Sequence, residues 1–422
     1  MIRRGSARGV APVEATSTAT STAPSTTTSP SSLAGLFSVL VAMVCVASLT
    51  LTPLAGSVAG ASGSQPRARA AGLRLFTING RFAGVATAVH VLSVSGPHYR
   101  VRIALARHAL DAGVQTPRAM CESTPHCVAA VNGDYFDLTR PGWADPGDEV
   151  GGIIVNCVLE HTPEISHQQA DLDSHTVTQG LDWSDTVNVD GSQVAISAIN
   201  QQLPIAYNQV HLALSGTLLY TSPYSLRVPA RPGRITDVFV HVAGLASVTR
   251  INTTARLELV ARTKRSLKVA QGRVYISTPR DSLLSSLRVG ETITTTTRST
   301  AGCDNIGGHP ILLNHGVVVP VAPADTYMVK PYARTVIGWT ASGRTIIMTV
   351  DGKDGVSGAT ATQLVALLQS LDVVTALDLD GGNSTTFYAK GRTLNHPSQG
   401  AERPVSTGVV VVESARAQTA PR

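Results

Sequence analysis

Apolar residues in this chain fall mainly into short runs with a period of two. Leu73–Ile78, Ala86–Ser95 and Tyr99–Leu105 alternate apolar and polar positions, the spacing of half-buried strands, and Gly96-Pro97-His98 predicts a hairpin joining the last two. Cys127-Val128-Ala129-Ala130-Val131 reads as a buried strand that delivers Asn132-Gly133-Asp134-Tyr135-Phe136-Asp137 at its tip. Strand signals follow at Gly151–Asn156, Val194–Ile199, Gln209–Ser215 and Leu218–Tyr220, and the pattern over 158–200 is otherwise hard to read. From Arg227 to Thr297, short Val, Ile and Thr runs spaced by turns predict a β-rich subdomain over about 227–300, with no helix signal longer than Asp281–Leu287. Gly307-Gly308-His309-Pro310 then predicts a glycine turn, with a short strand and a hairpin turn at Asn314-His315-Gly316.

The densest signal lies between Arg334 and Ser406. Arg334–Trp339 and Arg344–Val350 read as strands, the second closed by Asp351-Gly352. Thr360-Ala361-Thr362-Gln363 fits a capping box, and Leu364, Leu367, Leu368 and Leu371 share one helical face. Val373–Asp380 is apolar until it breaks into Gly381-Gly382-Asn383-Ser384-Thr385-Thr386. Strand, helix and strand, each strand ending in Asp, predict a parallel crossover with Asp351 and Asp380 on one edge. The expected fold class is α+β: a mixed sheet with few helices, a β-rich insert and a site at strand C-terminal ends.

Composition narrows the function classes. The 422 residues carry a formal charge of +6, with 15% charged residues. No basic run is interleaved with aromatics, which argues against a nucleic-acid partner and leaves modestly anionic small ligands open. Residues 1–32 are a low-complexity Ser/Thr-rich tail, and 33–61 hold an apolar run from Leu33 to Leu54 followed by Ala59-Gly60-Ala61. This segment is expected to be a signal peptide or a signal anchor, the only membrane contact expected. The chain is thus expected to be secreted or held on the outer membrane face, with a linker over 62–71 and one domain over 72–422. Cys121, Cys127, Cys157 and Cys303 remain in the exported part. Four cysteines permit three pairings; the expected one is Cys121–Cys127 and Cys157–Cys303. No CxxC or His-rich spacing supports a metal site in their place.

Six motifs recur in order: Asn132-Gly133-Asp134-Tyr135-Phe136; Gly307-Gly308-His309-Pro310; Arg334-Thr335-Val336-Ile337-Gly338; Asp351-Gly352; Leu379-Asp380-Gly381-Gly382-Asn383-Ser384-Thr385; and Glu402-Arg403-Pro404-Val405-Ser406. Together they resemble the phosphodiester glycosidase family over roughly residues 73–414. The resemblance implies a mixed α/β domain whose strand tips gather into one polar pocket, and an activity that cleaves a sugar from a glycosyl-1-phosphodiester. Asn383 stands where the family usually has a third glycine, and Thr407 where Asn commonly follows the Arg-Pro-Val-Ser motif.

The chemistry of that bond selects residues independently. It breaks at the anomeric carbon through an oxocarbenium-like state helped by carboxylates. Asp134, Asp351, Asp380 and Glu402 are the candidate acids, with Arg334 the catalytic cation. Arg403 joins Arg334 in meeting phosphate oxygens, since a guanidinium fork does so bidentately. Asn132, Gly133, Gly308, Gly381, Gly382, Asn383, Ser384 and Thr385 are the expected substrate-binding positions.

Each has a plainer reading. Asp351-Gly352 and Asn132-Gly133-Asp134 serve equally as turns, Asp380 as a cap of backbone amides, Arg334 as a solvated edge residue, and Glu402 with Arg403 as a surface pair. No cofactor is expected, although a divalent-cation site of Asp134, Asp351 and Asp380 is a weaker alternative. The expected partner is a carbohydrate phosphodiester in a cell-envelope polymer or glycolipid. The rival is a non-catalytic protein that binds or organises exopolysaccharide with the same pocket.

Overall fold

The computed structural model describes residues 72–414, apart from 83–84, 111–112, 138–146, 164–166, 202–204, 208–209, 213–215, 223, 225–226 and 243–246. Contacts divide the chain into Met1–Arg67 and Ala68–Arg422, and only the second unit is described below. The expected tail, apolar segment and linker therefore lie outside the described residues. Among the described residues no helix is long and apolar enough to cross a membrane.

The main sheet has seven strands in the spatial order Leu73–Phe82, Val85–Val94, Thr345–Val350, Arg334–Thr340, Val373–Asp378, Ile311–Asn314 and Val317–Val318. Its central strands are buried at nearly every position because both faces are covered. Val336, Met348 and Val350 face the helix Ala361–Ser370, while Ile337, Trp339 and Ile347 face a core shared with two five-stranded sheets. One of these sheets is built on Cys127–Asn132 and Thr407–Glu413, the other on Ile153–Val155 and Asn305–Gly308. The capping box at Thr360 and Gln363 is formed as the sequence predicts. Thr360→Ala should therefore cost about 1 kcal/mol in urea unfolding, typical of a lost N-cap.

The fold class is corrected. Among the described residues the structure is mostly β, with 50% strand and 10% helix, so it is not a balanced α+β fold. The expected crossover does run from Thr345–Val350 through the helix to Val373–Asp378, but these strands are not neighbours. Arg334–Thr340 lies between them and pairs antiparallel with both. A helix signal between two strands fixes their relative direction, not their adjacency.

The turn at Gly96-Pro97-His98 is also not a hairpin. Val85–Val94 pairs with Thr345–Val350, whereas Tyr99–Leu105 pairs with Thr407–Glu413 in a different sheet. Gly307 and Gly308 lie within the strand Asn305–Gly308 rather than in a turn.

Strands between Ser184 and Arg298 close into a seven-stranded barrel filled by Val187, Phe239, Leu257, Ile276 and their neighbours. Both expected disulfides are present, Cys121–Cys127 and Cys157–Cys303, the second linking positions 146 residues apart.

Candidate active site

The antiparallel strand inserted into the crossover explains how the polar tips meet. Its first residue, Arg334, pairs with Val350 at the end of one neighbour, and its third, Val336, pairs with Asp378 at the end of the other. One edge of the sheet thus gathers Arg334, Asp351 and the segment Asp378–Asp380.

Arg334 is fully buried, and its donors are all turned inward. Nε donates to the Ala359 carbonyl at 3.0 Å, and Nη2 to the carbonyls of Tyr327 at 2.6 Å and Lys330 at 3.2 Å. Nη1 lies 3.4 Å from Asp378 Oδ2, and the guanidinium packs over the Tyr327 ring, 4.4 Å from its centroid. Arg334 is therefore spent on protein groups and on the orientation of Tyr327.

Asp378 is also fully buried, and its carboxyl is pushed up to about 8 by burial, against the pull of Arg334. Sequence reasoning passed over it as part of an apolar run. A carboxylate inside such a run is itself a signal, because burial of a charge demands a partner.

Asp380 is crowded on all sides yet keeps partial solvent contact. Burial pushes its carboxyl up to about 7, with Asp134 adding to the rise and Ser384, Arg403 and the Gly381 amide opposing it. Its backbone N–H donates to the Gly133 carbonyl at 3.0 Å, and its carbonyl accepts from Asn132 Nδ2 at 2.5 Å. Asn132 Oδ1 in turn accepts from the Thr335 hydroxyl at 2.7 Å and the Thr386 amide at 3.2 Å. Asn132 thus ties three strand tips together, with its amide group occupied by the protein itself.

Asp134 sits opposite. Its Oδ1 accepts from the Tyr135 amide at 2.7 Å and faces His167 Nε2 at 2.9 Å. Burial disfavours the His167 imidazolium, but the charge and hydrogen bond of Asp134 outweigh that and raise its pKa. A Cβ at Gly307 would lie 2.0 Å from Asp134 Oδ2, and one at Gly151 would lie 2.2 Å away, so both glycines exist to admit this carboxylate. Gly381 does the same for Tyr327, whose hydroxyl would be 2.3 Å from an added Cβ. Gly133 lies against Thr407 and Gly308 against the Asp378 carbonyl. Gly382, Asn383 and Ser384 form a single 3-10 turn leading to Thr385.

Tyr135 and Tyr327 complete the cluster, their ring centroids 6.4 Å apart. Burial raises both phenols well above their ordinary range; Tyr327 adds to the rise at Tyr135, and Asp380 to the rise at Tyr327. The Tyr135 hydroxyl donates to the His309 carbonyl at 3.0 Å. Tyr135 lies inside the Asn132–Phe136 motif, but nothing in its spacing marks it as part of the site.

Two expected acids point elsewhere. Asp351 Oδ2 lies 3.0 Å from His396 Nδ1 and Oδ1 lies 3.6 Å from His90 Nε2, in a cleft also lined by Asn79, Thr87 and Lys353. Despite opposition from burial, the hydrogen bonds of His90 and His396 lower its pKa. Glu402 accepts from the Thr393 hydroxyl and, at 3.4 Å, from the Arg118 amide. Adjacent residues of an extended chain face opposite ways. Arg403 accordingly turns toward the site, with Nη1 3.5 Å from the Ser384 hydroxyl and its guanidinium 5.9 Å from the Phe136 ring centroid. The three carboxylates of the suggested cation site therefore do not converge. Among the described residues no group of three His, Cys, Asp or Glu side chains is arranged to hold a metal ion.

The raised carboxyls set a direction for stability. Asp378, Asp380 and Glu160 reach about 8, about 7 and about 8, all raised first by burial. The unfolded chain releases these protons near pH 4, whereas the folded chain holds them longer. Their stabilising contribution is therefore complete below about pH 4 and is lost as pH rises through 7 to 8. Asp351 acts the other way at low pH, since its lowered pKa favours folding above the ordinary carboxyl range. Thermal melts should show a lower melting temperature at pH 8.5 than at pH 6; an increase would contradict this balance.

Residues 239–412 match the sequence model of the phosphodiester glycosidase family, which bears out the resemblance read from the motifs. The chain is 36% identical over 88 residues to the Bos taurus N-acetylglucosamine-1-phosphodiester alpha-N-acetylglucosaminidase, a match covering 19% of this chain and 17% of that protein. The matched stretch is thus about a sixth of the relative's length. In overall fold the chain resembles a crystal structure of a hypothetical protein from Synechocystis, with 19% identity, a TM-score of 0.62 and coverage of 81% of this chain and 62% of that one. A Burkholderia pseudomallei K96243 protein gives 19% identity, a TM-score of 0.60 and coverage of 78% and 74%. These two likenesses concern the fold alone.

Proposed function

We propose that the protein is an exported hydrolase that cleaves a sugar from a glycosyl-1-phosphodiester, acting on a sugar–phosphate linkage of a cell-envelope polymer or glycolipid. The whole of 72–422 serves as one glycosidase-like domain, with the barrel as an insert. The observation that carries this reading is the grouping of Asp380, Arg403, Ser384 and Asp134, which sets two carboxyl groups beside a guanidinium and a hydroxyl. The family match supports the reaction class, and the two disulfides support an oxidising compartment.

In this reading Arg403 and Ser384 hold the phosphate. The bond from the anomeric carbon to the bridging oxygen breaks, and its electron pair goes to the phosphate oxygen, which takes a proton from Asp380. The phosphomonoester is already a stable anion, so an acid near pKa 7 suffices. Asp134 takes a proton from the attacking water as its oxygen joins the sugar, and both carboxyls return to their starting state by exchange with solvent. The test is incubation of the purified chain with a panel of UDP-sugars and methyl sugar-1-phosphodiesters. Free sugar should appear. Folded protein that releases none from the panel would overturn the proposal and favour a polysaccharide-binding role.

A further inference from the structure

Behind Asp134 lies a second buried carboxyl that neither the motifs nor the proposed reaction uses. Glu149 is 1% exposed, and neither of its carboxylate oxygens has a partner at full hydrogen-bond geometry among the described residues, although the Ser406 and Thr407 hydroxyls lie close enough to favour its charge. The second oxygen of the site acid, Asp134 Oδ2, is likewise buried and without a partner among the described residues. A fully buried carboxylate with both oxygens unpaired is among the costliest arrangements a fold can hold. Asp134 and Glu149 act on each other electrostatically, and the problem is resolved if one of them keeps its proton and donates it to the other.

The backbone builds this meeting. Phe136 and Glu149 form an isolated antiparallel bridge, and the Val150 amide donates to the Tyr135 carbonyl at 3.1 Å. Gly151, two residues on, is the position whose missing side chain admits Asp134. The charged and polar groups that face Glu149 are Asp134, Asp148, Ser406 and Thr407. Asp148 is itself 3.3 Å from His161 Nε2, and Asp134 is held by His167. Asp148 and Asp134 both oppose a charge on Glu149, and among the described residues no cation forms an ion pair with it.

We propose that Glu149 stays protonated and donates its O–H to Asp134 Oδ2, making it the positioning residue that holds the site base in place. Burial, the charge of Asp134 and that of Asp148 all raise the Glu149 pKa well above the ordinary carboxyl range, and the Ser406 and Thr407 hydroxyls do not offset them. The inference extends the reading of Asp134 as the base of a glycosyl phosphodiester hydrolase, but its physical content does not depend on turnover.

Two variants and one spectrum test it on the full chain. Glu149→Gln keeps a donor and cannot ionise, so it should leave kcat within about threefold of the unmodified protein. Glu149→Leu loses the donor and should lower kcat about tenfold to a hundredfold with little change in KM, the loss expected for a buried hydrogen bond to a charged group. Independently of activity, the His167 imidazole resonances should show a second, alkaline inflection as Glu149 ionises, and Glu149→Gln should abolish it. An alkaline inflection unchanged by Glu149→Gln, or a folded Glu149→Leu protein with unchanged kcat, would overturn the proposal. If no substrate is turned over, the His167 titration alone decides it, so its failure is distinguishable from failure of the proposed reaction.

Discussion

Asp380→Asn is expected to lower kcat for a sugar-1-phosphodiester by about 10²- to 10⁴-fold, the range for removal of a positioned acid or base. The substitution keeps the shape and removes the proton that the carboxyl, pushed up to about 7, holds near neutrality. Folding should not suffer, because the amide is neutral where burial already disfavours charge. The melting temperature should be unchanged or higher, and its fall with rising pH should become shallower. In the unmodified protein kcat/KM should decline as pH passes upward through about 7, since Asp380 then loses the proton it donates. Steady-state rates with a UDP-sugar, alongside melting curves, separate lost chemistry from lost structure. An Asp380→Asn protein that turns over at the original rate would remove Asp380 from the mechanism.

Arg334→Met carries the largest expected effect on stability. The guanidinium is completely buried and serves three backbone carbonyls besides Asp378, so its removal leaves a buried acid with no cation. Leaving buried acceptors without their donor costs about 1–3 kcal/mol each. The same substitution also frees Tyr327, over whose ring the guanidinium lies. Adding Asp378→Leu should recover part of the loss, because the stranded carboxyl disappears with its partner. Urea unfolding of the two single variants and the double variant gives the coupling energy directly. Additive losses would show that Arg334 stabilises through its carbonyl contacts alone.

The comparison between Arg334 and Arg403 shows how much of the site could be read from the chain. Sequence reading found both, since each lies in one of the six ordered motifs and a guanidinium suits phosphate oxygens. It did not tell which one faces solvent. That depends on strand order, and an antiparallel strand slipped into the crossover turned Arg334 toward the interior. The same limit separated Glu402 from Arg403: neighbours in sequence, they point to opposite sides of an extended segment.

Strand existence was legible wherever alternation or a continuous apolar run was strong, as at Tyr99–Leu105 and Thr345–Val350. Strand partners were not, because the turn at Gly96-Pro97-His98 has the composition of a hairpin whether or not its strands pair. The barrel was partly visible as a β-rich region and in the strand signal at Val194–Ile199, but its first strand, Ser184–Val189, carries too many polar outward positions to stand out. Asp378, Tyr135, Tyr327 and Glu149 were missed for a shared reason. Each acts through its burial, and only the packed structure shows that burial and the partners that compensate it.

The central claim is that Asp134, Asp380, Ser384 and Arg403 form one site that grips a sugar joined to phosphate. Calorimetric titration of a hexose-1-phosphate into the unmodified protein and into Arg403→Ala tests it most directly. The account predicts saturable binding to the first and at least a tenfold weaker affinity for the second, since a charged hydrogen bond is worth about 1.5–3 kcal/mol. Equal affinity in the two proteins would contradict it.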